Sequence, residues 1–180
     1  PVNAQSWTYK TIPTPAIGKW LHDHDHTFDG IDGGASYEHK IMRTVLANQG
    51  GLITGAAGTG KRVLLKQIRQ AIKDSGETVF ACAYTHATAR LIGAMTVARL
   101  LHYGAKLHDA WILIKGIPQL PIDTVGMVAR LLLVGTKIVC FGDFDGQFEP
   151  MKDRWNDKYS LVPESNMLRD MCSHLRIHLS

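Results

Sequence analysis

The chain has 180 residues, 45% hydrophobic and 20% charged, the balance of an ordinary globular protein able to bury one sizeable core. Lysine and arginine outnumber aspartate and glutamate by 20 to 16, a mild basic excess that permits a polyanionic partner without requiring one. Cys82, Cys140 and Cys172 are odd in number and scattered, which excludes a disulfide frame or zinc site and predicts buried thiols of a reducing, intracellular compartment. No apolar run approaches the ~18 residues of a membrane span, and no basic-then-apolar leader opens the chain, so no membrane partner is expected. Because it starts at Pro1 without methionine, the chain reads as a piece of something longer.

Residues 1–35 carry Pro13, Pro15 and a glycine cluster at 30–34 with little periodicity, and are expected to form an irregular lead-in. Within them, His22-Asp23-His24-Asp25-His26 superficially suggests metal binding. Adjacent alternating ligands do not close a tetrahedral site on a strand, and no second pair stands at zinc-like spacing, so a solvated polar segment is expected and no metal site is assigned. From Ser36, read as an N-cap, Tyr37, Ile41, Val45 and Leu46 recur at helical spacing up to Gly50.

The stretch 52–61, Leu-Ile-Thr-Gly-Ala-Ala-Gly-Thr-Gly-Lys, is a short apolar run ending in G-x-x-x-x-G-K, and a helical pattern follows it. Strand, glycine loop and helix in that order describe a phosphate cradle. Gly55, Gly58 and Gly60 let the backbone of Ala56, Ala57 and Thr59 curl with its N–H groups inward. Lys61 supplies a point charge to the β- and γ-phosphates, and the helix that starts there adds the positive end of its dipole. The ligand expected is a nucleoside triphosphate. The residue after the lysine, where a Ser or Thr would hold Mg2+, is Arg62, which cannot coordinate a metal.

A βαβ rhythm continues through the rest of the chain. Helix is expected over 63–72, closing near Gly76, and strand over 78–84. Two short helices follow at 85–91 and 96–102, separated by Gly93. Strand at 110–114, helix from Pro121 to about Val134, strand at 137–141 and a loop at 142–150 come next. Residues 151–163 lack a period, 164–172 read as helix and 175–179 as a last strand. This alternation predicts an α/β, three-layer P-loop NTPase domain over 36–180, its mainly parallel sheet covered by helices on both faces. Ligands then bind outside the carboxyl ends of the strands. Thr85-His86, Lys115-Gly116 and Gly142-Asp143 all fall at that edge.

With 52–61, Thr-His-Ala-Thr-Ala-Arg at 85–90, Gly-Ala-Met-Thr-Val-Ala-Arg-Leu-Leu at 93–101 and Lys-Ile-Val-Cys-Phe-Gly-Asp-Phe-Asp-Gly-Gln-Phe-Glu-Pro at 137–150 in place, the chain resembles the first, RecA-like motor lobe of superfamily-one DNA helicases, of the RecD-like kind with its viral and Pif relatives. The resemblance implies an ATP-driven motor on single-stranded DNA, with Thr85, His86, Arg90 and Thr96 at the DNA phosphates. Thr85 can equally serve as a helix cap, and both roles are compatible. It also implies that Asp143 and Gln147 belong to the loop that senses the γ-phosphate beside Lys61, although Gly146 makes the spacing one residue longer than the family's G-D-x-x-Q. The second lobe, which would supply arginines to the transferring phosphate, lies outside this chain.

Relatives end the third strand with Asp-Glu, for Mg2+ and for the attacking water. Here Lys115-Gly116 stand in those places, and Asp109 and Asp123 are wrongly placed to substitute. Loss of the hydroxyl, the metal carboxylate and the base predicts impaired hydrolysis. Arg62 and Lys115 are read as partial stand-ins for the missing ion. Two other readings stand beside the motor lobe: a decayed NTPase fold kept as a nucleotide- or DNA-binding module, and, more weakly, a small P-loop kinase lacking an evident arginine-rich lid.

Overall fold

A computed structural model describes residues 24–28, 35–144, 146 and 166–179. Its strands are β1 (His24–Phe28), β2 (Gly51–Gly55), β3 (Val79–Ala83), β4 (Met95–Thr96), β5 (Trp111–Lys115), β6 (Lys137–Gly142) and β7 (Leu175–Leu179). The helices are α1 (Ala35–Asn48), α2 (Lys61–Asp74), α3 (His86–Leu91), α4 (Val97–Leu101), α5 (Ile122–Ala129) and α6 (Asn166–Met171). The strands form one seven-stranded sheet in the order β1-β7-β2-β6-β5-β3-β4, with every pair parallel.

Side chains explain why the sheet is buried on both sides. Along β5, Ile112 and Ile114 join Val97, Leu100, Val125, Val128, Leu168 and Met171 of α4, α5 and α6 in one core. Trp111 and Leu113, pointing the other way, join Ile41, Val45, Leu64, Leu65, Ile68 and Ile72 of α1 and α2 in a second. A strand buried on both faces must be apolar at every position, as Ile112, Leu113 and Ile114 are at 0% exposure. Each such side chain contributes about 1.5–3 kcal/mol by leaving water. The α2 helix shows the complementary case, with Leu64, Leu65, Ile68 and Ile72 buried and Arg62, Lys66, Lys73 and Asp74 exposed.

Connections fix where a ligand can sit. From β2 the chain crosses past β6 and β5 to reach β3, whereas from β6 it returns past β2 to reach β7. Neighbouring strands β2 and β6 therefore send their chains in opposite directions, and the crevice beyond their carboxyl ends is the topological switch point. The glycine loop leaves β2 there, and Asp143 leaves β6.

Among the described residues the expected helices and strands are found, with four differences. Residues 24–28, assigned by sequence to the irregular lead-in, form edge strand β1 beside β7. The α1 helix begins at Ala35, so Ser36 lies inside it rather than capping it. Met95–Thr96 adds a two-residue strand, β4, beside β3. The helix after Pro121 ends at Ala129 and tightens into a 3-10 turn over Arg130–Val134, closed by left-handed Gly135 at φ +79°. The expectations for residues 1–23, 29–34, 145 and 147–165, including the lead-in's prolines and glycine cluster and His22-Asp23, lie outside the described residues. Among the described residues, no helix is long and apolar enough to cross a membrane.

Candidate functional site

Gly55 ends β2 at φ +148°, and a Cβ built on it would lie 2.5 Å from the Leu179 carbonyl oxygen and 2.9 Å from Thr59 Oγ1. Only glycine lets the loop turn this close to β7. Gly58 at φ +89° and Gly60 at φ +88° are left-handed with open space around them, so they are required for backbone conformation alone. The chain thus curls over Ala56–Thr59 and enters α2 through Gly60. No side chain caps α2, and no acid stands in its first turn. Its positive dipole end is left for an external anion.

Lys61 folds its ammonium back into this curl. Nζ donates to the carbonyl oxygens of Gly55 and Ala56, each at 2.5 Å, and to Thr59 Oγ1 at 3.3 Å. Thr59 Oγ1 donates in turn to the Ala56 carbonyl at 2.8 Å. Beside it, Lys61, Arg62, Lys115 and Gly142 line a cleft whose enclosed space, about 20 Å³, is no more than one water molecule needs. An anion placed in the curl would compete with the loop carbonyls for the ammonium. The ammonium gains by the exchange, because a bond between two ions is stronger than one to a neutral carbonyl. A larger groove of about 390 Å³ between α1 and α2, lined by Glu38, His39 and Asp74 among others, lies toward the far end of α2 and gathers no cations.

The cleft is electropositive. Burial lowers the proton affinity of Lys61, nearby Asp143 pulls it back up, and Lys115 lowers it further. Burial likewise lowers that of Lys115, helped by the charge of Arg62. Arg62 reaches across from α2, its Nη2 donating to the Leu91 carbonyl at 2.5 Å. Two turns further along α2, Arg69 donates to the Gly93 carbonyl at 3.0 Å. The corner between α3 and β4 is therefore held by two arginines of the phosphate-loop helix.

The metal ligands of a P-loop NTPase do not fit here. Cations occupy both the position after Lys61 and the end of β5, and among the described residues no group of three or more His, Cys, Asp or Glu could hold a metal ion. Gly116 is not a simple vacancy for a glutamate either. It stands left-handed at φ +78°, ψ +39°, its amide bonded to the Phe141 carbonyl at 2.8 Å, and it caps a 3-10 turn at Ile117–Gln119. A side chain there would cost about 1–2 kcal/mol of backbone strain.

The other candidate residues divide. Asp143 lies near Lys61, and its Oδ1 accepts from the Gly146 amide at 2.9 Å. Gln147 lies outside the described residues. Thr85 caps α3, accepting from the Thr88 amide at 3.2 Å, and Thr85, His86 and Arg90 are exposed. Thr96 caps α4 by accepting from the Arg99 amide at 3.2 Å and is only 8% exposed, so it offers far less surface to a polymer than Thr85 does.

Gly142, placed at this edge by sequence, is held to glycine by packing, because a Cβ there would meet Pro118 Cδ at 2.6 Å. Sequence reasoning missed the Leu91 carbonyl, because a backbone oxygen on a distant helix leaves no mark in sequence.

Fold and glycine curl together define the P-loop NTPase fold. Residues 38–148 match a family model described as AAA domain, and the chain belongs to that family. Its fold is similar to that of Pif1 helicase from Candida albicans (20% identity, TM-score 0.61, covering 79% of this chain and 38% of that one). It is also similar to Bacteroides Pif1 bound to single-stranded DNA (22%, 0.57, 71% and 37%) and to Bacteroides Pif1 in complex with ADP-AlF4 (21%, 0.54, 70% and 37%). The resemblance to a superfamily-one motor lobe thus holds at the level of fold, and the chain spans about two fifths of the length of these proteins. Comparison with curated proteins finds no match.

Proposed function

We propose that the chain is the ATP-binding motor lobe of a DNA helicase of superfamily one, impaired in hydrolysis, with single-stranded DNA as its second ligand. The observation that carries the nucleotide part is the glycine curl around Lys61 at the switch point between β2 and β6, left uncapped at α2. Supporting the DNA part are the fold shared with a Pif1 solved on single-stranded DNA and the exposure of Thr85, His86 and Arg90 at the same sheet edge. Polar groups on the first turn of α3 and a cation, Arg90, on its last turn suit backbone phosphates rather than bases.

Impairment follows from chemistry. Phosphoryl transfer depends on positioned charge and a positioned nucleophile, and each lost participant costs about two to four orders of magnitude in rate. Here the residues at 62, 115 and 116 supply neither metal ligand nor base. The same three residues favour a second reading, a binding module without turnover. Single-turnover ATP hydrolysis with and without single-stranded DNA separates the two. DNA-stimulated phosphate release supports the motor, and binding without release supports the module. Transfer of phosphate to a small acceptor would displace both in favour of a kinase.

A further inference from the structure

We propose that this site takes its nucleoside triphosphate free of divalent metal, with Arg62 and Lys115 supplying the positive charge that Mg2+ supplies in other P-loop sites. The inference rests on the nucleotide reading above and specifies the ionic form of the ligand.

Three cations from two elements meet at one cleft: Lys61 and Arg62 from the start of α2, and Lys115 from the end of β5. Parallel pairing fixes Lys115 there, opposite Ala83 of β3 on one side and Phe141 of β6 on the other. Among the described residues, no carboxylate or other acceptor pairs with its ammonium, which lines the cleft with Lys61 and Arg62 and feels the like charge of Arg62. A half-buried cation facing another cation is an unsatisfied arrangement that an anion completes and a metal ion worsens. A Mg2+ ion at the usual place would meet Arg62 and Lys115 where it needs a hydroxyl and a carboxylate. The metal-free triphosphate brings more negative charge than its Mg2+ complex, and so matches the cluster better.

Arg62 is able to move to that role. Its bond to the Leu91 carbonyl joins an ion to a neutral acceptor, whereas a phosphate oxygen offers an ionic one that the planar guanidinium can grip at two points. Lys61 makes the same exchange from the loop carbonyls. Both residues therefore have a resting partner and a better one.

Calorimetric titration of the 180-residue chain with ATP, once with a chelator and once with excess Mg2+, tests this. The expected result is binding in chelator at least as tight as in Mg2+, with Lys115→Met weakening the metal-free binding tenfold or more while the melting temperature of the free chain is unchanged or raised. Lys115→Gln gives the same comparison if the methionine variant folds poorly. An Arg62→Thr, Lys115→Asp double variant, which restores hydroxyl and carboxylate, is expected to bind more tightly with Mg2+ than without. Binding that appears only with Mg2+ in the unaltered chain overturns the metal-free site and leaves the nucleotide reading standing. Absence of binding under both conditions overturns the nucleotide reading itself.

Discussion

Gly55→Ala separates two kinds of glycine in the phosphate loop. The added methyl would lie 2.5 Å from the Leu179 carbonyl oxygen and 3.0 Å from Leu179 Cβ, and both belong to a strand paired on each side. Its φ of +148° is also one that side chains rarely adopt. Overpacking of this kind costs about 1–3 kcal/mol, and the strained backbone about 1–3 more, so we expect roughly 4 kcal/mol in all. At about 2–4 °C per kcal/mol for a chain of this size, the melting temperature falls by roughly 8–16 °C. Gly58→Ala meets no atom within 4 Å and carries only left-handed strain, about 1–2 kcal/mol. Urea denaturation of both variants, in chelator and without nucleotide, measures the difference directly. Equal losses within about 0.5 kcal/mol, the usual spread of surface substitutions, would refute the close approach of the loop to β7.

Thr85→Ala removes the cap of α3 and is expected to destabilise the chain by about 1 kcal/mol, whereas Thr85→Ser keeps the acceptor. Fluorescence anisotropy with labelled single-stranded DNA then shows whether weakened binding follows the hydroxyl or the helix. Arg62→Ala loses the bond to the Leu91 carbonyl, so amide hydrogen exchange over residues 92–94 should quicken, with a global loss of no more than about 1.5 kcal/mol. Burial pushes the Cys82 thiol from 9.0 to about 12, and burial and neighbouring Cys172 also push Cys140 up. The native state therefore keeps protons that the unfolded chain releases above its ordinary thiol value. Stability should fall as pH rises from 9 toward 12, by about 1.4 kcal/mol per unit from Cys82 alone. The lowered Lys61 and Lys115 act in the opposite sense at alkaline pH, stability rising as they lose their protons, so Cys82→Ala should leave a flatter alkaline limb in a pH series of urea midpoints.

What could be read from sequence was what rests on local chemistry. The cage needs glycine at 55, 58 and 60 and a lysine at 61, and those demands are written in consecutive residues. Buried parallel strands need unbroken apolar runs, so β2, β3, β5 and β6 were legible, and with them the edge on which Asp143 and Lys115 fall. The β1 strand was not. Its His-Asp-His-Thr-Phe has no apolar period, and its strand character comes from backbone pairing with β7 some 150 residues later. Two-residue β4 is too short to carry a pattern of its own. Gly116 read as a missing glutamate, but its left-handed φ shows a turn built around glycine. The resting places of Arg62 and Lys61 were beyond reach as well, because a long flexible side chain selects its acceptor from the assembled surface.

Competition at the glycine curl tests the central claim most directly. Inorganic tripolyphosphate should displace ATP from the chain, adenosine should not, and Lys61→Met should weaken ATP binding by about 10–100-fold, the worth of a charge-assisted contact. Displacement by adenosine alone, or undiminished ATP binding by the Lys61→Met variant, would show that the curl and its ammonium do not hold a triphosphate.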